Sequence, residues 1–313
     1  MPQEFFSAFK TRMGILGEDS SASPEVPMRL ALQSLLSLLA VSTTAFGQAK
    51  VPEGLAVSEK NLTYGDHERQ KLDLFVPKGD GPFPLVMWVH GGGWSAGSKD
   101  GNPLMLMLAK GYAVASTNYR LSQHAVFPAQ INDCKAAVRY LRANAKTYKL
   151  NADAFGVAGA SAGGHLVALL GTAGSVKELE GKVGAYYEVS SKVQAVVDVF
   201  GPTDLIKLAG ATDAESPITK LLGGKVSEKK ELATQANPIT HIEKDCAPFL
   251  ILHGDMDKLV LLSQSELILA ALQKAKIPAE LIVVKGAGHD GKVMGGENTA
   301  KVTAFFDKYL MKK

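Results

Sequence analysis

The sequence predicts an α/β fold with a mostly parallel central sheet, helices on both of its faces and a small lid insertion. Three observations carry this. Apolar runs of strand length recur, residues 85–89 and 193–200 among them, as expected of strands buried on both faces. Between such runs lie segments with helical spacing; Ile131, Cys134, Val138 and Leu141 share one face. The order strand, helix, strand then repeats along the chain with no internal repeat or low-complexity linker.

Each element has a local reason. Residues 72–76 alternate as a half-exposed strand, and Pro77 stops it. The buried run 85–89 follows. Asn102-Pro103 opens a helix with a capping side chain and a first-turn proline, and Gly111 closes it. Residues 112–116 form the next strand, and a helix follows Pro128. Residues 155–159 read as a short strand that runs directly into a helix beginning near Ser161. The strand 193–200 ends at Gly201-Pro202. Residues 203–245 are polar, with short helical pieces and no clear strand, and are the expected lid; residues 172–191 are a second candidate for lid or pocket. A strand over 249–252, a helix over 263–274, a strand over 281–284 and a helix over 300–309 complete the chain.

Composition sets wide bounds. Of 313 residues, 46% are hydrophobic and 21% charged, which excludes a disordered, collagen-like or multi-span membrane protein. A formal charge of +3, with no block of like charge, points away from nucleic acid and from a polybasic membrane patch. Two cysteines cannot build a disulfide framework or a four-ligand zinc site, and His67, His124 and His241 are scattered. No metal and no cofactor is expected.

The N-terminus reads as a leader. Met28-Arg29 precedes an apolar stretch over 30–41, and Ala45-Phe46-Gly47 gives a small-x-small exit. That is the pattern of a secretory signal peptide over 28–47, too short for a span of about 20 apolar residues. Residues 1–27 read as a gene-start extension and 48–313 as a single catalytic domain. The expected location is secreted or periplasmic, without stable membrane insertion after cleavage. Export makes a Cys134–Cys246 bridge permissible, a pairing that sequence leaves open. Asn61-Leu62-Thr63 fits a glycosylation sequon.

Four motifs carry chemistry. Gly159-Ala160-Ser161-Ala162-Gly163 lies between a predicted strand and a predicted helix, where a tight turn needs very small residues beside an exposed serine. His90-Gly91-Gly92-Gly93-Trp94 directly follows a buried strand. Its glycines let backbone N–H groups approach a developing oxyanion, so Gly92, Gly93 and Ala162 are the candidate donors. Trp94 is read equally as a pocket wall that meets substrate or as core. Phosphate-loop spacing is absent. Serine needs a base, and the base needs an orienting acid. Two loops after predicted strands supply them: His253-Gly254-Asp255-Met256-Asp257-Lys258-Leu259-Val260, and Gly286-Ala287-Gly288-His289.

With these motifs in this order, the chain resembles an α/β-hydrolase of the HGGG-motif esterase/lipase group, similar to hormone-sensitive-lipase-like and feruloyl-esterase-like carboxylesterases. The resemblance runs from about Leu72 to the C-terminus and includes Asn118-Tyr119-Arg120-Leu121, Phe127-Pro128-Ala129 and Gly201-Pro202-Thr203-Asp204. It implies Ser161 as nucleophile, His289 as base and Asp257 as acid, the last from the pattern H-G-x-x-D-x-x-V. Asp255 and Asp204 are the alternatives. Asp290-Gly291-Lys292 stands where the group often has an aromatic residue. The implied activity is hydrolysis of short-chain acyl or aryl esters, including acetyl or feruloyl esters of plant polysaccharides. A C–N hydrolase (serine peptidase or arylformamidase) and an inactive binding module are the competing readings. His90, His165 and His253 read as structural histidines.

Overall fold

The computed structural model describes residues 56–208, 213 and 215–311. The expected leader and the extension before it lie outside the described residues. Eight strands form one sheet: β1 (Ala56–Thr63), β2 (Lys71–Pro77), β3 (Phe83–Val89), β4 (Ala113–Thr117), β5 (Leu150–Ala160), β6 (Ala195–Val199), β7 (Phe249–Gly254) and β8 (Ala279–Val284). Their order is β1-β2-β4-β3-β5-β6-β7-β8. β2 runs antiparallel to both neighbours, and every pairing from β4 to β8 is parallel. This is the α/β-hydrolase fold.

Among the described residues, six α-helices flank the sheet: α1 (Ala129–Ala143), α2 (Ala162–Thr172), α3 (Pro217–Leu222), α4 (Lys230–Ala236), α5 (Ser263–Lys274) and α6 (Glu297–Leu310). Alternate side chains of β3 enter opposite layers. Leu85, Met87 and Val89 join Ile131, Val138 and Leu141 of α1, Leu166 and Leu170 of α2 and Ile268 of α5. Val86 and Trp88 join Val302, Phe306 and Leu310 of α6 and the 3₁₀ helix Pro103–Lys110. Burying each such Leu, Val or Phe contributes roughly 1.5–3 kcal/mol. Gly156 sits where a Cβ would stand 2.6 Å from the Phe306 ring, so α6 can lie flat on β5 only over a glycine.

Several expected boundaries shift for physical reasons. The helix opened by Asn102 forms, with Asn102 Oδ1 accepting from Leu104 N at 2.9 Å and Gly111 in the left-handed region, but it is a 3₁₀ helix. β5 begins at Leu150 rather than 155, because Asn151 and Asp153 interrupt the apolar run without interrupting the strand. β1 is an edge strand with mostly exposed side chains and therefore no apolar signature. It is held through its backbone and by Asp73 of β2, which accepts from Lys60 Nζ and Asn61 N at 2.9 Å each. Among its described residues the 203–245 segment has no strand; it contains α3, α4 and the 3₁₀ turn Pro238–His241.

The two cysteines are free thiols. Cys134 is buried on α1, while Cys246 Sγ donates to Thr172 O at 3.5 Å. The bridge that export would permit is therefore not formed. The loops that matter all leave the carboxyl ends of parallel strands: His90 after β3, Ser161 after β5, Asp257 after β7 and His289 after β8. That edge is where open α/β sheets place their ligands.

Candidate active site

Ser161 sits on the turn between β5 and α2 with φ 56° and ψ −121°, a region costly for any residue with a Cβ, of order 1–3 kcal/mol. Neighbours impose it. Ser161 N donates to Val199 O at 2.9 Å, and His165 N donates to Ser161 O at 3.0 Å. The flanking glycines are required by contact. A Cβ on Gly159 would lie 2.4 Å from Gly163 O, and one on Gly163 would lie 2.1 Å from Val89 O. The turn holds Ser161 partly accessible at the start of α2. Ala162 N–H belongs to the first helical turn and has no carbonyl four residues back within the helix.

The glycine loop after β3 folds onto this turn. A Cβ on Gly91 would stand 2.8 Å from Ala160 O, and Gly92, Gly93 and Gly97 have φ of 107°, 57° and 91°. Gly92 O accepts from Ser95 N and Ala96 N, at 3.1 and 2.9 Å. Pro217, at the start of α3, covers Gly93 from the far side; its ring would lie 3.3 Å from a Cβ there.

Asp257 is 6% exposed and fully engaged. Its Oδ1 accepts from Leu259 N at 2.8 Å and Val260 N at 2.9 Å, and its Oδ2 accepts from His289 Nδ1 at 2.7 Å. His253 Nε2 stands 3.4 Å from the same Oδ2 while donating to Val260 O at 2.7 Å. Burial alone would raise the Asp257 pKa. The hydrogen bonds from His253, His289 and Val260 overcome it and hold this carboxyl well below the usual carboxylate range. A carboxylate can only accept, so the neutral His289 imidazole carries its proton on Nδ1 and its lone pair on Nε2. Nε2 is buried and makes no hydrogen bond among the described residues.

The alternative acids have other partners. Asp255 is exposed and its Oδ1 accepts from Gly286 N at 2.7 Å, which pins the loop that carries His289. Asp204 caps its own turn through Ile206 N, at 3.1 Å, and pairs with Lys207 at 3.1 Å. Ser161 and His289 share a mount instead of a direct hydrogen bond. Val199 O takes the Ser161 N–H, and the ring of the next residue, Phe200, lies against His289 with centroids 4.2 Å apart. Catalytic hydrogen bonds are commonly loose until substrate binds. Nothing in the sequence marks Phe200, whose φ is 43°.

Three readings of the sequence are settled by burial and distance. Trp94 is 2% exposed; its Nε1 donates to His165 Nδ1 at 3.2 Å, and His165 Nε2 donates to Ala236 O at 2.7 Å. It braces the glycine loop against α2 and α4 and offers no surface to a substrate, so the pocket-wall reading is corrected to core. His165 is neutral in this chain, since burial pushes its pKa down to about 4. Residues 172–191 leave the far end of α2, which lies roughly 16 Å from Ser161 at 1.5 Å per residue. They are bound along α1, by Lys135 and Arg139 on Glu180 at 2.8 and 2.6 Å and by Gly181 against Asn132. The 203–245 segment does reach it, through Pro217 on Gly93 and Leu221 O accepting from Phe127 N at 2.8 Å.

Beneath the site lies Asp198, wholly buried on β6 with Oδ1 accepting from Gly201 N at 2.9 Å. Burial raises its pKa to about 6 against an ordinary 3.8. A raised carboxyl pKa means that the folded chain retains a proton the unfolded chain releases. Asp198 therefore lowers stability progressively between about pH 4 and pH 6, by about 3 kcal/mol in all. Asp198→Asn is expected to lack this slope. Urea unfolding across pH 4–7 should show the variant gaining on the parent by about that amount, and parallel curves would show that Asp198 titrates normally.

The BD-FAE family model matches residues 72–272, which is more than half of the chain. The chain belongs to the BD-FAE family. The match takes in the glycine loop, the Ser161 turn and Asp257, while His289 lies beyond it. Relatives agree with this BD-FAE placement. A truncated carbohydrate esterase from gut microbiota superposes with a TM-score of 0.80 at 32% identity, covering 85% of this chain and all of that one. A bifunctional GH43-CE protein of Bacteroides eggerthii gives a TM-score of 0.74 at 36% identity, covering 80% of this chain and 38% of that one. Esterase LipC of Mycobacterium tuberculosis is 28% identical over 78% of this chain. The chain spans 62% of LipC and less than two thirds of the other curated relatives it matches.

Proposed function

We propose that this protein is a serine carboxylesterase that releases short acyl groups, acetyl or hydroxycinnamoyl, from plant polysaccharides. The observation that carries the reading is the 2.7 Å bond between His289 Nδ1 and Asp257 Oδ2, on the same sheet edge as a serine held at φ 56°. Asp257 fixes the imidazole with its lone pair on Nε2, the form able to take a proton. Ser161 Oγ attacks the ester carbonyl carbon as its proton passes to His289 Nε2. The carbonyl oxygen becomes an oxyanion that accepts from the N–H groups of Gly92, Gly93 and Ala162. Collapse of this intermediate breaks the ester C–O bond, and His289 returns the proton to the leaving alcohol. Water then repeats the sequence on the acyl-enzyme and frees the acid and Ser161.

The substrate class rests on the relatives. Both solved proteins above 30% identity named here are described as a carbohydrate esterase or as a GH43-CE protein. Export through residues 28–47 would place the enzyme outside the cytoplasm, where polymeric substrates are met. Initial rates on p-nitrophenyl acetate and octanoate, methyl ferulate and acetylated xylan test it. Release of acetate or ferulate from polymer, with octanoate the poorest ester, is the expected result. A preference for octanoate without any release from polymer would overturn the substrate class. Labelling of Ser161 by a fluorophosphonate probe tests the chemistry separately.

A further inference from the structure

The loop from His90 to Gly97 closes on itself. A Cβ on Gly97 would stand 2.5 Å from Gly91 O and 2.6 Å from His90 Nδ1, so its two ends touch. One side chain grips that junction from outside the loop. Arg69 Nη2 donates to Gly97 O at 2.9 Å and to His90 Nε2 at 3.2 Å, and its Nε donates to Tyr119 O at 3.1 Å. Tyr119 completes the clamp: its ring stacks on the His90 imidazole, 4.4 Å between centroids and 14° between planes, and its hydroxyl donates to His90 O at 3.0 Å. Because Arg69 can only donate, His90 Nε2 must accept, and the imidazole proton lies on Nδ1, directed at Gly91 O at 2.7 Å. His90 is thereby kept neutral; burial first, and then the Arg69 charge, push its pKa down to about 4, against the opposing pull of Gly91 O.

We propose that Arg69 is the positioning residue of the oxyanion loop, holding both ends of residues 90–97 so that the Gly92 and Gly93 N–H groups face the reacting carbonyl. The proposal rests on the esterase reading above. The residue lies on the turn before β2, three positions ahead of the family match. A rigid fork suits the task. The guanidinium spans Tyr119 O on one side and the loop junction on the other, a reach that a single ammonium nitrogen lacks. Glycines with positive φ have no side chains to lock them, so their N–H directions depend on what fixes the loop ends. Displacing donors by an ångström costs on the order of 100-fold in rate without touching the reacting groups.

The test compares Arg69→Gln and Arg69→Lys with the parent protein on p-nitrophenyl acetate. Rates are normalised to the amount of Ser161 that a fluorophosphonate labels at completion, and Tm is measured in parallel. The expected result is a fall in kcat per labelled site of about 10- to 100-fold for Arg69→Gln with KM within about threefold. Arg69→Lys is expected to fall between that variant and the parent. A merely structural Arg69 would lower Tm or the labelled fraction while leaving kcat per labelled site unchanged. That result, or a loss carried wholly by KM, overturns the proposal. Should Arg69→Gln fail to fold, Arg69→Lys alone decides by the same criterion. Failure of the esterase reading is separately visible, because turnover would then survive Ser161→Ala.

Discussion

Ser161→Ala is expected to lower kcat on p-nitrophenyl acetate by at least about 10⁴-fold while leaving the fold intact. The size follows from what the hydroxyl is asked to do. Once it is gone, only the oxyanion donors and the binding contacts remain, and water must attack without covalent help. The intact fold follows from the surroundings of the side chain. It makes no capping hydrogen bond to α2, and alanine occupies the same backbone at φ 56° with the same Cβ. The turn is held by Ser161 N on Val199 O and by bare glycines at 159 and 163, none of which the substitution alters. Tm should therefore move by no more than a few degrees, and fluorophosphonate labelling should vanish. Turnover retained within tenfold would sink the nucleophile assignment and with it the esterase mechanism. A dead variant with an unchanged fold would also separate an enzyme from a binding module, which would lose nothing.

The parts of this site legible in the sequence are those whose physics is local. Gly159 and Gly163 are demanded by contacts within the turn and with the adjoining β3, so the steric rule appears as a five-residue pattern. The glycine loop is legible for the same reason. In sequence the acid is separable from its rivals only by resemblance, whereas in the structure Asp257 lies where two backbone N–H groups hold one oxygen and His289 takes the other. Asp255, two residues earlier, is aimed at Gly286.

What the sequence hid depends on packing between distant segments. Arg69 reads as one polar residue in a polar turn, and its partners at 90, 97 and 119 are brought to it by the sheet order β2-β4-β3. Phe200 reads as the end of an apolar strand; that its ring carries the imidazole depends on β6 and β8 flanking β7. Trp94 is ambiguous in sequence because burial and pocket lining have the same composition. The hydrogen bond to His165, itself bound to α4, decides for burial. The segment 172–191 reads as a lid only because it is irregular; it starts at the far end of α2 and packs along α1. β1 leaves no mark in the sequence because an edge strand held by backbone pairing needs no apolar face.

Asp257→Asn is expected to cost on the order of 10³–10⁴ in kcat at neutral pH, although it changes one atom. The backbone determines why. Leu259 N and Val260 N both donate to Oδ1, so asparagine must keep its carbonyl oxygen on that side. Its NH₂ then occupies the Oδ2 position, facing His289 Nδ1 at 2.7 Å and His253 Nε2 at 3.4 Å. A donor now confronts the Nδ1–H donor. The imidazole relieves this by moving its proton to Nε2, the nitrogen that must be empty to receive the Ser161 proton. Base catalysis is lost while nucleophile and oxyanion loop stay in place, so KM should change little. Asp255→Asn is the internal comparison and should stay within a few-fold of the parent; a reversal of the two would reassign the acid. Stability carries an independent signature. Asp257 has a folded pKa below its unfolded value, so its carboxylate contributes stability that is complete above about pH 4 and is lost as the pH falls through the folded value. The gap in unfolding free energy between parent and Asp257→Asn should shrink as the pH falls below about 4. A gap that widens below about pH 4 would mean that the Asp257 carboxyl is protonated in the folded protein, which the two backbone donors and the His289 Nδ1–H do not allow.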